Sequence, residues 1–338
     1  MSSSPVARQP GYANGHYGNH HHGNHHDGTA RDTNENQRAP IREFGHEYHW
    51  SNRLVVPHDP SELGYQHYQH ELFRHCLGEQ LTFGSLPPVG FDEYSILDVG
   101  TGSAIWAIEM GKCFPQADIF GIDISPALFP RPFNVPSNVG LFVRDATQPW
   151  SMGDFNLIFM RDLVGGGIRD WRGLLAQAFS HLRPGGQLEF AQLDCFLSAG
   201  AQSTESQGTF GPRSAEHRAR FMELCGSQFI TFDPIPLVVP CLCAMPGVHF
   251  VAQQVLYLPT KVRDGACSEE IKRVAMVQKI LPLLLENRSL RLFRRSGMRE
   301  RTVRELIQGV LEEQQDPAYD AYLKMTIIIA TKMVWEAT

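Results

Sequence analysis

SILDVGTGSAIWAIEMGKCFPQADIFGID, residues 95–123, is the stretch whose reading decides the fold. Ile96 and Leu97 open a short apolar run, and Asp98-Val-Gly-Thr-Gly102 places two glycines where backbone must turn tightly. Ile105, Trp106, Ile108, Glu109 and Met110 follow at helical spacing, and Ala117 to Asp123 forms a second apolar run ending in an acid. Strand, Gly-rich turn, helix and strand together predict an α/β unit. Open sheets of that kind bind ligands beyond the carboxyl ends of their strands.

The turn chemistry separates two ligand classes. A dinucleotide site carries G-x-G-x-x-G, with pyrophosphate seated on the helix N-terminus. Here Gly100-Thr-Gly102 continues as Ser103-Ala104-Ile105, so the third glycine is missing. Asp98, just upstream of the turn, would repel a pyrophosphate. It suits a ligand with a cationic end, and Asp123 suits ribose hydroxyls. S-adenosylmethionine carries an ammonium, a sulfonium and a ribose but no phosphate, and D-x-G-x-G followed by an acid on the next strand fits it better.

Working outward, Ile124 to Asn138 contains four prolines and predicts a loop. Val139 to Asp145 is a third strand candidate, again ending in an acid, and Phe155 to Met160 a fourth. A helix is expected over about 170–181, a turn at Leu182-Arg-Pro-Gly-Gly186, and a fifth strand over Gln187–Gln192. Alternating strands and helices predict a mainly parallel sheet with helices on both faces. Upstream, Pro60-Ser-Glu-Leu63 starts a helix with Leu63, Tyr65, Tyr68, Leu72, Phe73 and Cys76 near one face. His67, His70 and His75 invite a metal reading, but without further ligands amphipathic packing is favoured. Downstream, four prolines between Asp233 and Gly247 forbid one continuous helix. Helices are expected over 269–286, kinked at Pro282, and over 300–313. The basic run from Arg291 to Arg304 reads as a solvated helix start, and Cys241 and Cys243 as two small buried hydrophobes.

Composition bounds the function. The chain has 338 residues, 42% hydrophobic and 20% charged, with net charge −6. An acidic chain without a strong Lys/Arg cluster argues against direct nucleic-acid binding. No apolar run is long enough to span a bilayer, and no secretory signal opens the chain. Seven scattered cysteines read as reduced thiols, so a cytoplasmic or nuclear, non-secreted protein is expected. Residues 1–40, rich in Gly, Asn and His, predict a disordered tail without a metal role.

At these residues the sequence resembles class I S-adenosylmethionine-dependent methyltransferases, and more closely the fungal LaeA-like group. The resemblance is carried by Leu97-Asp-Val-Gly-Thr-Gly102, Ile105-Trp-Ala-Ile-Glu109, Gly121-Ile-Asp-Ile-Ser-Pro126, Pro149-Trp150, Asp170-Trp171 and Leu182-Arg-Pro-Gly-Gly186. It implies a Rossmann-like fold in which Asp98, Gly100 and Gly102 line the methionine end of S-adenosyl-L-methionine, Asp123 the ribose, and Asp145 with Ala146 the adenine. Ala104, Asn156 and Tyr65 depart from the pattern, which commonly has Gly, Asp and Arg there. The implied organisation is a 41–90 N-terminal helical lid, a 91–196 cofactor-binding core, and a 197–338 acceptor-side helical insertion with C-terminal strands completing the sheet. The implied reaction is in-line methyl transfer to a small-molecule acceptor of secondary metabolism. If that acceptor must lose a proton, Asp162 and Asp194 are the favoured bases by position at strand ends, ahead of His181, His249 and Glu189. The competing expectation is a LaeA-like nuclear regulator acting through protein partners, and a third a cofactor-binding pseudoenzyme.

Overall fold

The computed structural model describes residues 38–84, 86, 94–199 and 211–334. The expected tail, residues 1–40, lies almost wholly outside that range. Two short strands, β1 (Ile41–Glu43) and β2 (His46–Tyr48), form an antiparallel hairpin and lead to α1 (Pro60–Cys76). Asp59 caps α1, accepting from the backbone N–H of Ser61 at 2.9 Å, with Pro60 in the first turn. Then come β3 (Ser95–Val99), α2 (Ile105–Cys113), β4 (Asp118–Asp123), β5 (Val139–Val143), β6 (Phe155–Arg161), α3 (Trp171–Ser180) and β7 (Leu182–Leu193). The chain continues through α4 (Pro212–Ser227), α5 (Ile235–Cys243), β8 (Val248–Pro259), α6 (Ser268–Arg295), α7 (Glu300–Glu313) and β9 (Tyr322–Lys332).

Seven strands form one sheet in the order β5-β4-β3-β6-β7-β9-β8. β3 to β7 run parallel to one another; β9 runs antiparallel to both β7 and β8. After β3 the chain builds β4 and β5 on one side, then crosses to β6 on the other. That reversal opens a crevice at the carboxyl ends of β3 and its neighbours. Both faces are covered, because successive strand residues point to opposite sides. Ile96, Leu157 and Phe159 pack with Trp106 and Met110 of α2 on one face. Leu97, Val99, Ile158 and Met160 pack with Trp171, Leu174 and Leu175 of α3 on the other.

Three local expectations are corrected. Leu182 to Gly186 is the start of β7 rather than a turn: Leu182 pairs with Phe155, and the register then slips so that Gln187 meets Leu157. α6 extends beyond the expected end at 286, continuing unbroken through Pro282 to Arg295, 28 residues in all. Proline removes one helical hydrogen bond, but Leu281, Leu284 and Leu285 beside it are buried, and their packing outweighs the loss. Cys243 is exposed at the end of α5, which holds Pro240 within its nine residues.

α1 lies along α6, and the joint between them is ionic. Arg288 of α6 grips Glu62 of α1 with a two-pronged pair at 2.7 and 3.1 Å and reaches Asp162, just past β6, at 3.1 Å. All three side chains are almost wholly buried. Asn287 and Ser61 complete the cluster: Asn287 donates to Glu62 at 3.0 Å and Ser61 donates to Asn287 at 2.9 Å. Removing the cation would leave two carboxylates shielded from water without a counter-charge. Arg288→Met is therefore expected to lower unfolding free energy by roughly 3–5 kcal/mol, read from urea denaturation. A loss below about 1 kcal/mol, the range of exposed pairs, would contradict this role.

Candidate functional site

The Gly-Thr-Gly turn is shaped by its glycines. Gly100 has φ +71° and a Cβ there would run into Leu163; Gly102 has φ +54° and a Cβ would come within 2.5 Å of Gln66 Oε1. The backbone N–H groups of Gly100 and Thr101 donate to the Ile122 carbonyl at 2.8 and 2.9 Å, folding the turn onto β4. Ala104 also holds a left-handed conformation, φ +57°, although it carries a side chain. An L-residue adopts that at a cost of roughly 1–2 kcal/mol, so the departure from glycine leaves the turn's shape unchanged. Trp106 stacks on Phe159 at 3.9 Å and donates its indole N–H to the Leu81 carbonyl at 2.7 Å, tying the lead-in to α2.

The three acids lie at the carboxyl ends of adjacent strands. Asp98 is buried and accepts from the Thr101 hydroxyl at 2.6 Å; burial pushes its carboxyl up to about 6. Asp123 accepts from the backbone N–H groups of Gly102 and Ser125, each at 2.9 Å, while burial raises its pKa against those bonds. Asp145 stands just past β5. Burial works to raise its pKa, but hydrogen bonds from Thr147 and Arg53 outweigh it and hold the carboxyl below its ordinary value. Arg53, from the segment before α1, reaches across to Asp145 at 2.8 Å. The Ala146 carbonyl accepts from Trp150 and Gln177 at 3.0 and 3.2 Å, fixing the backbone of that corner.

These residues bound a cavity with about 860 Å³ of empty space, its open mouth included. Gly100, Gly102, Asp123, Asp145 and Ala146 line one side; Leu54, Val56, Leu128, Leu163, Val164 and Ile168 give the rest an apolar wall. A smaller polar chamber adjoins it, sharing Glu62, Gln66, Gly100 and Asp162 and adding Asp98, Ser103 and Arg161. Ser103 Oγ is buried there without a hydrogen-bond partner. Burial lowers the pKa of Arg161 against the pull of Asp98 and Asp162. Its guanidinium contacts His70 Nδ1 at 3.2 Å, and His70 Nε2 lies 2.9 Å from Glu109. Burial pushes His70 down to about 4, so it is neutral, accepting from Arg161 and donating to Glu109.

The two favoured base candidates occupy different surroundings. Asp162 faces both chambers, but its carboxylate already accepts from Tyr65 at 2.7 Å, Gln192 at 2.8 Å and Arg288. Asp194 is outside the cavity lining and pairs with Lys324 of β9 at 3.1 Å; burial raises it to about 6. Glu189, a lesser candidate, is buried, raised to about 7 by that burial, and accepts from the backbone of Phe83 and Gly84. His249 is exposed on β8, and His181 lies near Asp154 and Trp150. Asn156 is remote from the cavity and accepts from Ser95 N–H and Arg183. His67 is exposed while His70 is committed as above, and among the described residues no group of three His, Cys, Asp or Glu converges as for a metal.

The basic run is split: Arg295, Arg299, Arg301 and Arg304 are exposed, as expected of a solvated helix start, while Arg291 turns inward onto the segment that leads to the cavity wall. Arg291 is buried; it donates to the Leu54 carbonyl at 2.7 Å and Asn52 at 2.8 Å, pairs with Glu43 at 3.1 Å, and covers the Tyr48 ring at 4.1 Å. Arg304 pairs with Glu286 and donates to the Phe44 carbonyl. Sequence reasoning missed Glu62, Arg288 and Arg161. The available signal was the polar set Glu286-Asn-Arg-Ser289 inside an otherwise apolar stretch of helix.

An open, mainly parallel sheet with a Gly-Thr-Gly turn and acids on successive strand ends has the architecture of class I methyltransferases. A family model described as a methyltransferase domain matches residues 65–232. Methyltransferase pytC of Aspergillus terreus is 34% identical over 197 residues, 56% of this chain and 56% of that protein. Secondary metabolism regulator LAE1 of Cochliobolus heterostrophus is 30% identical over 225 residues, 60% of this chain and 72% of that protein. Protein-methionine methyltransferase laeA of Emericella nidulans is 31% identical over 168 residues, 48% of this chain and 43% of that protein. The chain belongs to the S-adenosylmethionine-dependent methyltransferases, in their LaeA-like group. It spans little more than half the length of pytC. No helix among the described residues is long and apolar enough to cross a membrane.

The clamp at the start of α1 gives a pH prediction. His46 is buried with Nδ1 2.8 Å from Asp59 and Nε2 3.4 Å from Glu286; the Asp59 bond, then the Glu286 bond, raise it to about 9. A histidine raised above its ordinary 6.5 contributes stability that is fully present below pH 6.5 and lost as pH rises through 9. The urea midpoint of the wild type is expected to fall over that window, and His46→Gln to flatten the fall. An equal fall in both proteins would exclude the clamp.

Proposed function

We propose that this protein binds S-adenosyl-L-methionine across the two chambers and transfers its methyl group to a small-molecule acceptor of fungal secondary metabolism. The observation that carries the reading is the pair of carboxylates, buried Asp98 and half-buried Asp123, on adjacent strand ends flanking the glycine turn. Ser103 Oγ is buried in the inner chamber that Asp98 and Arg161 also line and has no hydrogen-bond partner among the described residues, which suits a polar atom of a ligand. Asp98 suits the ammonium and Arg161 the carboxylate of the amino-acid end. Asp123 suits the ribose hydroxyls, and Asp145 with the Ala146 backbone the adenine edge. The bound donor supplies a methyl group already activated by its sulfonium, so orientation by the chain contributes most of the catalysis.

Glu62 and Asp162 put negative charge on the wall shared by the chambers, which favours a cationic centre there, and Arg288 fixes both carboxylates. With three donors already bound, Asp162 is assigned a positioning role ahead of a proton-accepting one. Asp194, facing Lys324, is assigned a role in the sheet. An acceptor that offers a free lone pair needs no base, and the apolar wall suits an apolar body. The second reading is a regulator that works through protein partners, in the nucleus or cytoplasm; the 72% coverage of LAE1 at 30% identity favours it.

Calorimetric titration with S-adenosylmethionine, with NADH as control, is expected to give micromolar binding to the methyl donor alone. Asp98→Ala and Asp123→Ala are each expected to weaken it about tenfold or more, the effect of losing a charge-assisted contact. Label from a methyl-labelled donor should then pass to a metabolite extract. Label passing only to protein would favour the regulator, and an absence of donor binding would overturn the methyl-transfer reading.

A further inference from the structure

Arg161, the last residue of β6, lines the inner chamber together with Asp98 and Ser103. Its guanidinium carbon lies 5.4 Å from the ring centre of Phe73 and 5.6 Å from that of Phe159, so two aromatic rings flank it. Among the described residues no carboxylate pairs with it directly; Asp98 and Asp162 act on it only through space. A guanidinium drawn out of water without a paired anion is costly, and its rigid fork of donors suits a carboxylate that accepts two bonds at once. Among the described side chains, the one that does bond it is His70, through Nδ1 at 3.2 Å.

That bond decides where the imidazole proton sits. Arginine only donates, so Nδ1 of His70 must offer a lone pair, and Nε2 carries the proton. Nε2 then donates to Glu109 at 2.9 Å, and Glu109 is held in turn by Arg74 at 3.3 Å. The imidazole is 1% exposed, so bulk water reaches neither nitrogen. A chain of bonds thus runs from Arg74 through Glu109 and His70 to one corner of the Arg161 guanidinium, and the remaining donors are left for the chamber. His70 shares a face of α1 with Gln66 and Glu62, at intervals of four residues. Gln66 accepts from the Ser103 N–H at 2.8 Å, so this face of the lead-in helix meets both the glycine turn and the chamber.

We propose that His70 is a positioning residue for cofactor recognition: it holds Arg161 in the orientation that binds the carboxylate of the cofactor's amino-acid end. The site's preference for a carboxylate-bearing ligand then depends on a histidine that touches no ligand atom. The inference rests on the assignment of the inner chamber to that end of the cofactor. A role confined to packing α1 against α2 would act on every ligand alike, whereas this role acts only on ligands that carry the carboxylate.

Calorimetric titration of the full chain with S-adenosylhomocysteine and with its decarboxylated analogue, which keeps the adenosine, the sulfur and the amine, separates the two. The wild type is expected to bind the carboxylate-bearing ligand about tenfold tighter or more, the effect of a charge-assisted contact. His70→Leu, which cannot accept from Arg161, is expected to lose most of that preference by weakening S-adenosylhomocysteine alone. His70→Asn sets a carbonyl oxygen near the place of Nδ1 and should recover much of it. Equal weakening of both ligands in His70→Leu, or a preference left intact, would overturn the proposal. Nitrogen chemical shifts of histidine-labelled wild type need no folded variant: near neutral pH the His70 signals should show a bare Nδ1 and a protonated Nε2, and a protonated Nδ1 would overturn the proposal as well. A wild type that binds both ligands equally would overturn the proposal while leaving the cofactor reading standing. A wild type that binds neither would overturn that reading, and the proposal with it.

Discussion

Arg288 is the charge on which the rest of this structure depends. It stands nearly dehydrated in the C-terminal third of α6, and burial alone would favour its neutral form. Glu62, with Tyr65 and Asp162 behind it, reverses that and holds the guanidinium firmly protonated. Its ring-plane contact with Tyr65, 4.5 Å to the centroid, fills the space that water would otherwise need. A buried ion pair of this kind adds little net stability compared with apolar packing, but it permits few alternative arrangements. Here it sets α1 against α6 and both against the end of β6. The cavity wall, including the side chains that face a ligand, is therefore set by one cation.

The other half of the site follows from the sheet. Strand order places the ends of β3, β4 and β5 side by side, so three acids far apart in the chain share one edge. Two of them are spent partly within the chain: Asp123 accepts from the backbone of the turn after β3 and of the loop after β4, and Asp98 accepts from the Thr101 hydroxyl. The carboxylates thus shape the turn as well as face the cavity. Arg53 closes the third corner from the opposite side, linking the lead-in segment to Asp145. Binding at that corner must therefore accommodate or displace a salt bridge that is itself partly open to water.

What could be read from residues alone was what depends on short spacing. Asp98 to Asp123 was legible because the glycines, the helical period and the strand-end acid all fall within one supersecondary unit, and the alternation of Ile96 with Leu97 already implies two covered faces. Arg288 was illegible because its partners lie 226 and 126 residues away, and a lone arginine in an amphipathic helix ordinarily faces water. Arg291 misled for the same reason. Leu182 to Gly186 misled differently: Pro-Gly-Gly has turn chemistry, yet pairing of Leu182 with Phe155 across the irregular register carries the strand through it. Glu189 shows the remaining limit, since a charged residue at mid-strand says nothing of the loop that will cover it.

The central claim is that carboxylates on adjacent strand ends, under a helix pinned by Arg288, form one continuous binding site for an adenosine with a zwitterionic tail. A crystal structure of the full chain with S-adenosylhomocysteine tests it most directly. The account predicts ribose hydroxyls on Asp123 and the amino-acid end in the inner chamber, its ammonium toward Asp98 and its carboxylate toward Arg161, beside Ser103. A ligand bound elsewhere, or one whose ribose turns away from Asp123 with the inner chamber unentered, would contradict it.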